Sequence, residues 1–434
     1  FATFDEERYS VHYSNGTVAP IREDQFNLSA NIVTIRGLTP SQTNVVVNAT
    51  VIKGEVKNKV KNYNRSKKID IVYSKYAQSG NSDNSTINDG LEYKKYYGIR
   101  VQDEEICLNY PDVAKVLSIY ESLDSGSPTL DVVQFTASAN VTENAIVGEN
   151  VIGNKSQAVG RVVSKPSTNR LEVVYLNGNK FDVGEDVVFE ESNINTEIES
   201  IILGRYKNLT DSYKLNKGQK TQYYDYSKIV RNQEVLEPSK RILVVMDYYS
   251  VASDAGDVFT VESYDRKRFS ADIPNIAGIR ASDTLDYRAR VSVFDPANTT
   301  KSPFDFTSRT TGLTDSPTYT LSPGEGCTVA YDFYLPRIDK LYLDKFSNFI
   351  LEKGIPARFP KEPIKNDELL AVATINLPPY LYHPQDAFLT LIDNQRFTMR
   401  DIGLIEDRVQ NLERVTSLTM LELDTQSLQI QDAD

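Results

Sequence analysis

The sequence predicts a mainly β, multidomain protein of antiparallel β-sandwich or barrel modules, followed by a C-terminal amphipathic helix that is a coiled-coil candidate. Three observations predict this class. Strand-favouring aromatic residues are abundant, with 26 Tyr and 17 Phe, although Trp is absent. Short segments of alternating polarity recur between turn signals along most of the chain. The apolar spacing becomes helical only after residue 394.

Length, charge and cysteine content exclude several classes of protein. The chain has 434 residues, so several domains of about 100–200 residues are expected. A net charge of −12 argues against nucleic acid as a general partner, because phosphate binding needs a basic field. No apolar run reaches the length of about 18 residues that spans a bilayer, so we expect no membrane insertion. Two free, buried thiols, Cys107 and Cys327, are favoured over one long-range disulfide. Because the chain begins at Phe1, we expect it to be a section of a longer polypeptide.

The first region, residues 1–125, is predicted to be an N-terminal β region. Val45, Val47 and Val51 alternate with polar residues over 44–52, which predicts a half-buried strand. The polar segment 77–90 is predicted to be a loop, and its carboxylates lack the spacing of a calcium-binding loop.

A lysine-rich segment follows that strand. Lys57, Lys59 and Lys61 are spaced by two and would share one face of a strand. One interpretation is a solvated edge strand that its lysines protect from wrong pairing. The other interpretation is a contact with an acidic neighbouring protein, which makes the three lysines candidate interface residues.

The second region, residues 126–204, is predicted to be an inserted small β-barrel-like module. The motif VGENV at 147–151 recurs as VGEDV at 183–187, and Asn177-Gly178 is typical of a hairpin turn. Short strands are predicted at 160–164, 171–175, 187–190 and 198–203.

The third region, residues 205–392, is predicted to be the main β domain, which can pair with the first region. The apolar run at 241–250 predicts a central strand, and 369–377 predicts a strand that Pro378 ends. Residues 340–344 and 349–353 predict a hairpin. Further strands are predicted at 257–263, 288–294 and 328–334.

The fourth region, residues 393–434, is predicted to be an amphipathic helix of six or seven turns. Its candidate interface stripe is Ile402, Ile405, Val409, Leu412, Leu418 and Leu421. Two interpretations stay open, because the stripe fits either a coiled coil between chains or docking onto the chain's own β domain. Three threonines near the seam weigh against the coiled coil, namely Thr416, Thr419 and Thr425.

Residues for catalysis are sparse, and we expect no enzyme activity, no cofactor and no metal. The phosphate-binding loop and nucleophile motifs are missing, and His12 and His383 are isolated in sequence. The acids that neighbour aromatic residues are interpreted as strand-end and turn residues: Asp225, Asp247, Asp286 and Asp305.

A tyrosine cluster is the most unusual local feature. Tyr223, Tyr224 and Tyr226 lie within four positions. A tyrosine suits a partly hydrated protein–protein interface because its ring packs against apolar groups while its hydroxyl binds a polar partner. Packing at the ends of the chain's own sandwich and contact with a partner are both open interpretations.

Several longer motifs resemble one known family. They are YYDYS at 223–227, RILVVMDYY at 241–249, GDVFTVESY at 256–264, DIP at 272–274, LDYR at 285–288, YLPRIDK at 334–340, LPPY at 377–380 and FTMRDIG at 397–403. In this order they resemble large virion structural proteins of contractile-tailed phages, notably those of cyanobacteria. That family is often labelled only as a domain of unknown function.

The resemblance implies a virion protein of the tail, baseplate or fibre network, assembled in the host cytoplasm. It implies other tail proteins and copies of the chain itself as partners, and it supplies no catalytic residues. The alternative function is a receptor-binding adhesin that recognises host surface glycans, against which the absence of Trp counts.

Overall fold

The chain forms two compact units, Phe1–Val329 and Ala330–Asp434. The structure is a computed structural model and describes residues 1–38, 45–76, 91–137, 140–251, 256–265, 272–297, 301–312, 327–381, 384–393 and 397–427. These residues are mainly β, with antiparallel sheets, one small closed barrel and a long C-terminal helix, which confirms the predicted fold class. The predicted loop at 77–90 lies outside the described residues.

The first unit contains most of the strands. In chain order they are β1 Tyr9–Tyr13, β2 Val18–Pro20, β3 Phe26–Ser29, β4 Ile32–Ile35, β5 Val45–Ala49, β6 Lys61–Ile71, β7 Ser74–Lys75, β8 Glu92–Tyr93, β9 Glu105–Pro111, β10 Val113–Ser122, β11 Asp131–Phe135, β12 Asn150–Gly153, β13 Val159–Ser167, β14 Arg170–Tyr175, β15 Asp186–Phe189, β16 Asn195–Ile202, β17 Tyr206–Asn208, β18 Tyr213–Asn216, β19 Tyr223–Tyr224, β20 Tyr226–Arg231, β21 Ile242–Val251, β22 Asn275–Ile276, β23 Ile279–Arg280 and β24 Ala289–Arg290.

The second unit contains one sheet and the long helix. Its strands are β25 Arg337–Leu343, β26 Phe349–Glu352, β27 Leu370–Leu377 and β28 Phe388–Leu391, and the helix is Met399–Ser427. The short helical segments whose bounds lie within the described residues are Glu23–Gln25, Val141–Asn144, Thr210–Ser212, Val261–Ser263, Ala281–Asp283, Phe306–Ser308 and Pro384–Asp386.

The main sheet of the first unit has the strand order β17-β10-β21-β6. The apolar run predicted as a central strand is β21, which pairs antiparallel with β10 and β6 and is therefore central. Its buried residues Ile242, Val244 and Met246 contribute to one core with Ile69 and Ile119 from the neighbouring strands. The sheet thus joins strands that precede the inserted barrel to strands that follow it.

The inserted module is a closed barrel with the strand order β11-β14-β13-β12-β15-β16. The four predicted strands correspond to β13 through β16, whereas β11 and β12 were not predicted. The predicted hairpin at Asn177-Gly178 is wrong, because β14 pairs with β13 and β11 and not with β15. The tight turn lies at residues 168–169, where Asn169 adopts a left-handed φ of 55°.

The repeated motif marks an internal pseudo-two-fold axis of the barrel. Gly148 and Gly184 both have left-handed backbone, with φ of 87° and 81°. The acid that follows each glycine is buried and accepts hydrogen bonds from the loop of the other repeat. Glu149 accepts from the Ser192 amide at 2.9 Å, and Glu185 accepts from the Ser156 amide at 2.9 Å. The halves β11–β13 and β14–β16 therefore stabilise each other reciprocally.

Several predicted strands are corrected by the structure. The residues 328–334 form no strand, and 257–263 end in the short helix Val261–Ser263, because Thr260 caps that helix by accepting from the Glu262 amide. Of 288–294, only the two residues of β24 are a strand. The strand β5 is exposed along its whole length and is not half-buried, although β1 pairs with it. In the second unit, the hairpin β25–β26 and the strand β27 are confirmed.

Candidate assembly surfaces

The C-terminal helix begins at Met399 and extends for 29 residues. Thr398 and Asp401 form its N-terminal cap, since the Asp401 carboxylate accepts from the Thr398 amide at 2.9 Å and from its hydroxyl at 2.7 Å. These bonds hold the pKa of the Asp401 carboxyl below its usual value, and the bond from the Thr398 hydroxyl has a larger effect than the bond from the amide. The cap fixes the start of the helix, which is longer than predicted.

The apolar stripe of this helix is exposed. The predicted interface residues are each between 44% and 63% exposed: Ile402, Ile405, Val409, Leu412, Leu418 and Leu421. Within its own unit, the described sheet leaves the stripe uncovered, so the structure does not show docking of the helix onto that sheet. Among the described helices, none has the length and apolarity needed to cross a membrane.

The threonines near the stripe do not leave free hydroxyl groups on it. Thr416 donates its hydroxyl to the Leu412 carbonyl, and Thr419 donates to the Val415 carbonyl at 2.9 Å. Such bonds to the preceding turn satisfy the hydroxyl within the helix. These two threonines therefore weigh less against a helix–helix contact than the sequence indicated.

The sheet of the second unit exposes a further apolar surface. Its strand order is β26-β25-β27-β28, so β26 and β28 are the edges. Within the described part of this unit, the buried apolar side chains are Tyr342 and Ala373. Large apolar residues of the edge strands are 40% to 76% exposed: Phe349, Ile350, Leu351, Phe388, Leu389 and Leu391. The unit therefore covers little of its own apolar surface.

The predicted lysine face does not exist. The strand β6 begins only at Lys61, and Lys57 and Lys59 precede it. Lys57 is exposed, whereas Lys59 and Lys61 are 3% and 4% exposed. The prediction of a solvated lysine edge, or of a three-lysine contact with an acidic partner, is wrong because two of the side chains point into the fold.

Lys61 instead occupies a buried aromatic site. Its Nζ lies 2.6 Å from Asp112 Oδ2 and donates to the Tyr264 hydroxyl at 2.8 Å. It also lies 4.4 Å from the ring centroids of Tyr224 and Tyr264 and 4.7 Å from that of Phe259. Burial lowers the pKa of Lys61, and the Asp112 carboxylate opposes that shift. This site binds the first strand of the main sheet to three later segments of the chain.

Two of the three candidate tyrosines also belong to the core. Tyr224 is fully buried and donates its hydroxyl to Asp286, while Tyr226 is 3% exposed and packs edge-on against Phe294, with ring centroids 5.6 Å apart. Burial raises the pKa of Tyr226 to about 12. Tyr223 is partly exposed. Interface roles for Tyr224 and Tyr226 are therefore wrong, because their own fold covers both rings.

The acids next to aromatic residues are engaged in internal bonds. The Asp225 carboxylate accepts from Arg309 at 2.6 and 2.9 Å, and Asp286 accepts from Arg288 at 2.9 and 2.7 Å. Asp305 caps a short helix by accepting from the Thr307 amide at 3.0 Å.

Histidines and acids form no metal site in the part of the chain that the structure describes, where no group of three His, Cys, Asp or Glu side chains is placed to hold a metal ion. His12 is hydrogen-bonded to Asn48 at 2.9 Å, and His383 lies outside the described residues. Both cysteines are free, and only Cys107 is buried, whereas the prediction that Cys327 is buried is wrong.

The barrel is attached to the main sheet by charged and apolar contacts. Arg161 of β13 donates to the fully buried Asp247 of β21 at 3.0 Å, and Asp247 also accepts from the Tyr63 hydroxyl at 2.6 Å. Lys68 and Glu172 form a second ion pair at 2.7 Å. Residues of both modules share one buried cluster: Tyr120, Leu130, Val163, Val174, Leu243 and Val245. The inserted barrel is thus packed onto the sheet and not merely tethered to it.

Comparisons of the chain with protein-family models, with curated proteins and with solved structures find no match. The functional argument therefore depends on the surfaces described above and on the motifs in the sequence.

Proposed function

We propose that this chain is a structural protein of the tail or baseplate region of a phage virion, where it holds neighbouring subunits together or attaches fibres. It has no catalytic role, binds other tail proteins and copies of itself, and joins the particle after synthesis in the host cytoplasm. The observation that carries the proposal is the exposed apolar surface of the second unit. The phage context comes from the motif resemblance between residues 223 and 403.

The exposed apolar residues of the second unit lie next to one another and are not scattered singly over its surface. Single exposed apolar residues are normal, but contiguous patches on a sheet or helix mark surfaces that another polypeptide covers. Here neighbouring positions of β26, such as Phe349 and Leu351, are 67% and 45% exposed. The same holds for β28, where Leu389 and Leu391 share one face and are 58% and 71% exposed.

The first unit supports a structural role in a different way. Its barrel and main sheet share a buried cluster and a buried ion pair between Arg161 and Asp247. A module that is fixed in this way keeps a constant distance between the surfaces on its two sides. Such rigidity is useful in a scaffold, which must position neighbours reproducibly.

The internal bonding of the acids favours this proposal over an enzyme or a glycan-binding adhesin. A catalytic or sugar-binding carboxylate needs an accessible oxygen, whereas Asp225 and Asp286 each bind an arginine through both oxygens. Tyr224 and Tyr226 are likewise covered by the fold and offer no platform for a sugar ring.

The direct test is to locate the chain in particles. Mass spectrometry of purified virions of the encoding phage should detect peptides of the chain, and antibody labelling in electron micrographs should place it on the tail. Purified particles that lack the chain would refute the proposal, and binding of the isolated chain on a glycan array would favour the adhesin.

A second test addresses association through the helix. The double variant Ile405→Asp, Leu412→Asp should abolish self-association in light scattering, because it places charge on the apolar stripe. The matched control is the double variant Gln410→Asp, Asn411→Asp, which adds the same two charges at exposed polar positions of the same helix. A double variant that still associates like the control would contradict the role of the stripe.

A further inference from the structure

We propose that the C-terminal helix joins three copies of this chain in a parallel, in-register coiled coil. This inference rests on the proposed function, because it specifies how the structural protein associates with itself. The partner is a second and a third copy of the same helix. The argument uses the heptad positions, the charges that flank them and the width of the apolar surface.

The helix carries a heptad seam over its described length. The positions conventionally called a are Ile402, Val409, Thr416 and Leu423, and the positions called d are Ile405, Leu412 and Thr419. All seven side chains are exposed in the single chain. The two threonine layers satisfy their hydroxyls on the preceding turn, as described above, so they can pack without an unpaired polar group. Leu418 and Leu421 lie at positions c and f, outside this seam.

Charge complementarity identifies another copy of this helix as the occupant. Arg408 lies at position g and Glu413 at position e of the next heptad, and in a parallel coiled coil these two positions face each other across the seam. No oppositely charged residue lies three or four positions from either one, so neither has an intrahelical partner by spacing. A parallel neighbour in the same register supplies the complement of both residues.

One adjacent heptad supports this register and the other opposes it. The following g–e′ pair is Val415 and Met420, which is apolar on both sides and extends the surface to be buried. The preceding pair, Asp401 and Glu406, has like charges, and each such pair weakens association by about twofold at most, which corresponds to about 0.5 kcal/mol. The proposal requires the apolar layers of the seam to outweigh this repulsion in the first turn of the helix.

The width of the apolar surface favours three strands over two. At a and d the seam is mixed, because Ile402 with Ile405 favours trimers, whereas Val409 with Leu412 favours dimers. The apolar residues at g and e, Val415 and Met420, decide for three strands, since these positions become buried more fully as the number of helices increases. With a rise of 1.5 Å per residue, the 29-residue helix forms a stalk about 44 Å long.

Charge-reversal variants of the full chain test the parallel register. Arg408→Glu and Glu413→Arg should each raise the concentration at half-assembly by about tenfold, because each creates three repulsive pairs per trimer. The double variant should restore assembly to within about threefold of the unchanged chain. The matched control Arg414→Glu, at the outward position f, makes the same charge change and should leave assembly unchanged. A double variant no better than the single ones would overturn the parallel register.

Sedimentation equilibrium and cross-linking test stoichiometry and direction. The unchanged chain should have three times the mass of one chain. In a Cys327→Ser background, Ile405→Cys should form disulfides between copies on mild oxidation, whereas Leu421→Cys, at position f, should form few. An antiparallel arrangement would separate the two copies of residue 405 and abolish this cross-link. A dimer, or an assembled chain without the cross-link, overturns this inference but leaves the proposed function standing. A monomer that is also absent from virions refutes both.

Discussion

Replacing Lys61 tests whether the buried aromatic site stabilises the first unit. Lys61→Met keeps the length of the side chain but removes the ammonium group that lies 2.6 Å from Asp112. Because Asp112 is 5% exposed, its carboxylate would stay buried without its main cation. Breaking a buried ion pair from one side costs about 3–5 kcal/mol, and we expect a loss of unfolding free energy in that range.

Denaturant unfolding, followed by tyrosine fluorescence, measures the change. The control is Lys57→Met, which makes the same substitution at an exposed position and should change the free energy of unfolding by less than about 0.5 kcal/mol. The double variant Lys61→Met, Asp112→Asn removes both charges and should recover part of the loss, since Asn tolerates the left-handed backbone at position 112, where φ is 60°. Equal stability of Lys61→Met and the control would refute this reasoning.

Three further predictions concern the barrel and the core. Glu149→Gln and Glu185→Gln should each reduce the free energy of unfolding by about 1–3 kcal/mol in urea, and a loss at only one site would contradict the pseudo-symmetry. Arg161→Met should cost about 3 kcal/mol and speed hydrogen exchange in β13 and β21, because it leaves Asp247 without that cation; unchanged exchange would argue against the junction. Tyr226, with a folded pKa of about 12 against 10.0 unfolded, contributes stability that is present below pH 10 and lost towards pH 12. In Tyr226→Phe, the free energy of unfolding should therefore fall less steeply with pH above pH 10, by an amount that corresponds to at most one proton. An unchanged slope of that free energy against pH would contradict this.

The sequence predicted those elements correctly whose pattern is complete within the segment itself. The run in β21 is apolar on both faces, which is typical of a strand with a neighbour on each side, and the structure places it between β10 and β6. The C-terminal helix was predicted in the same way, because its period needs no partner to be recognised. By contrast, residues 328–334 alternate in polarity but pair with no strand among the described residues, and alternation alone does not supply a partner.

The buried lysine site could not be predicted, because its members are far apart in sequence. Lys61 meets Asp112, Tyr224 and Tyr264 at separations of 51, 163 and 203 residues. A lysine spacing of two indicates a shared strand face only if the residues are in a strand, and here the strand begins at the last of them. The reciprocal glutamates of the barrel, however, left a signal in the repeated VGE motif, which predicted the module but not its symmetry.

The difference between the two units explains why association through the second unit is the central proposal. The main sheet and the barrel of the first unit share a buried core, in which even Lys61 and Asp247 are buried with partners. The second unit exposes large apolar residues on both edge strands and along the helix, and a sheet whose described apolar core is Tyr342 and Ala373 has little hydrophobic stabilisation of its own. A polypeptide that covers those surfaces would therefore supply part of the folding free energy of the unit. On this argument, the second unit should unfold at a lower denaturant concentration in any variant that abolishes assembly, while the first unit keeps its stability.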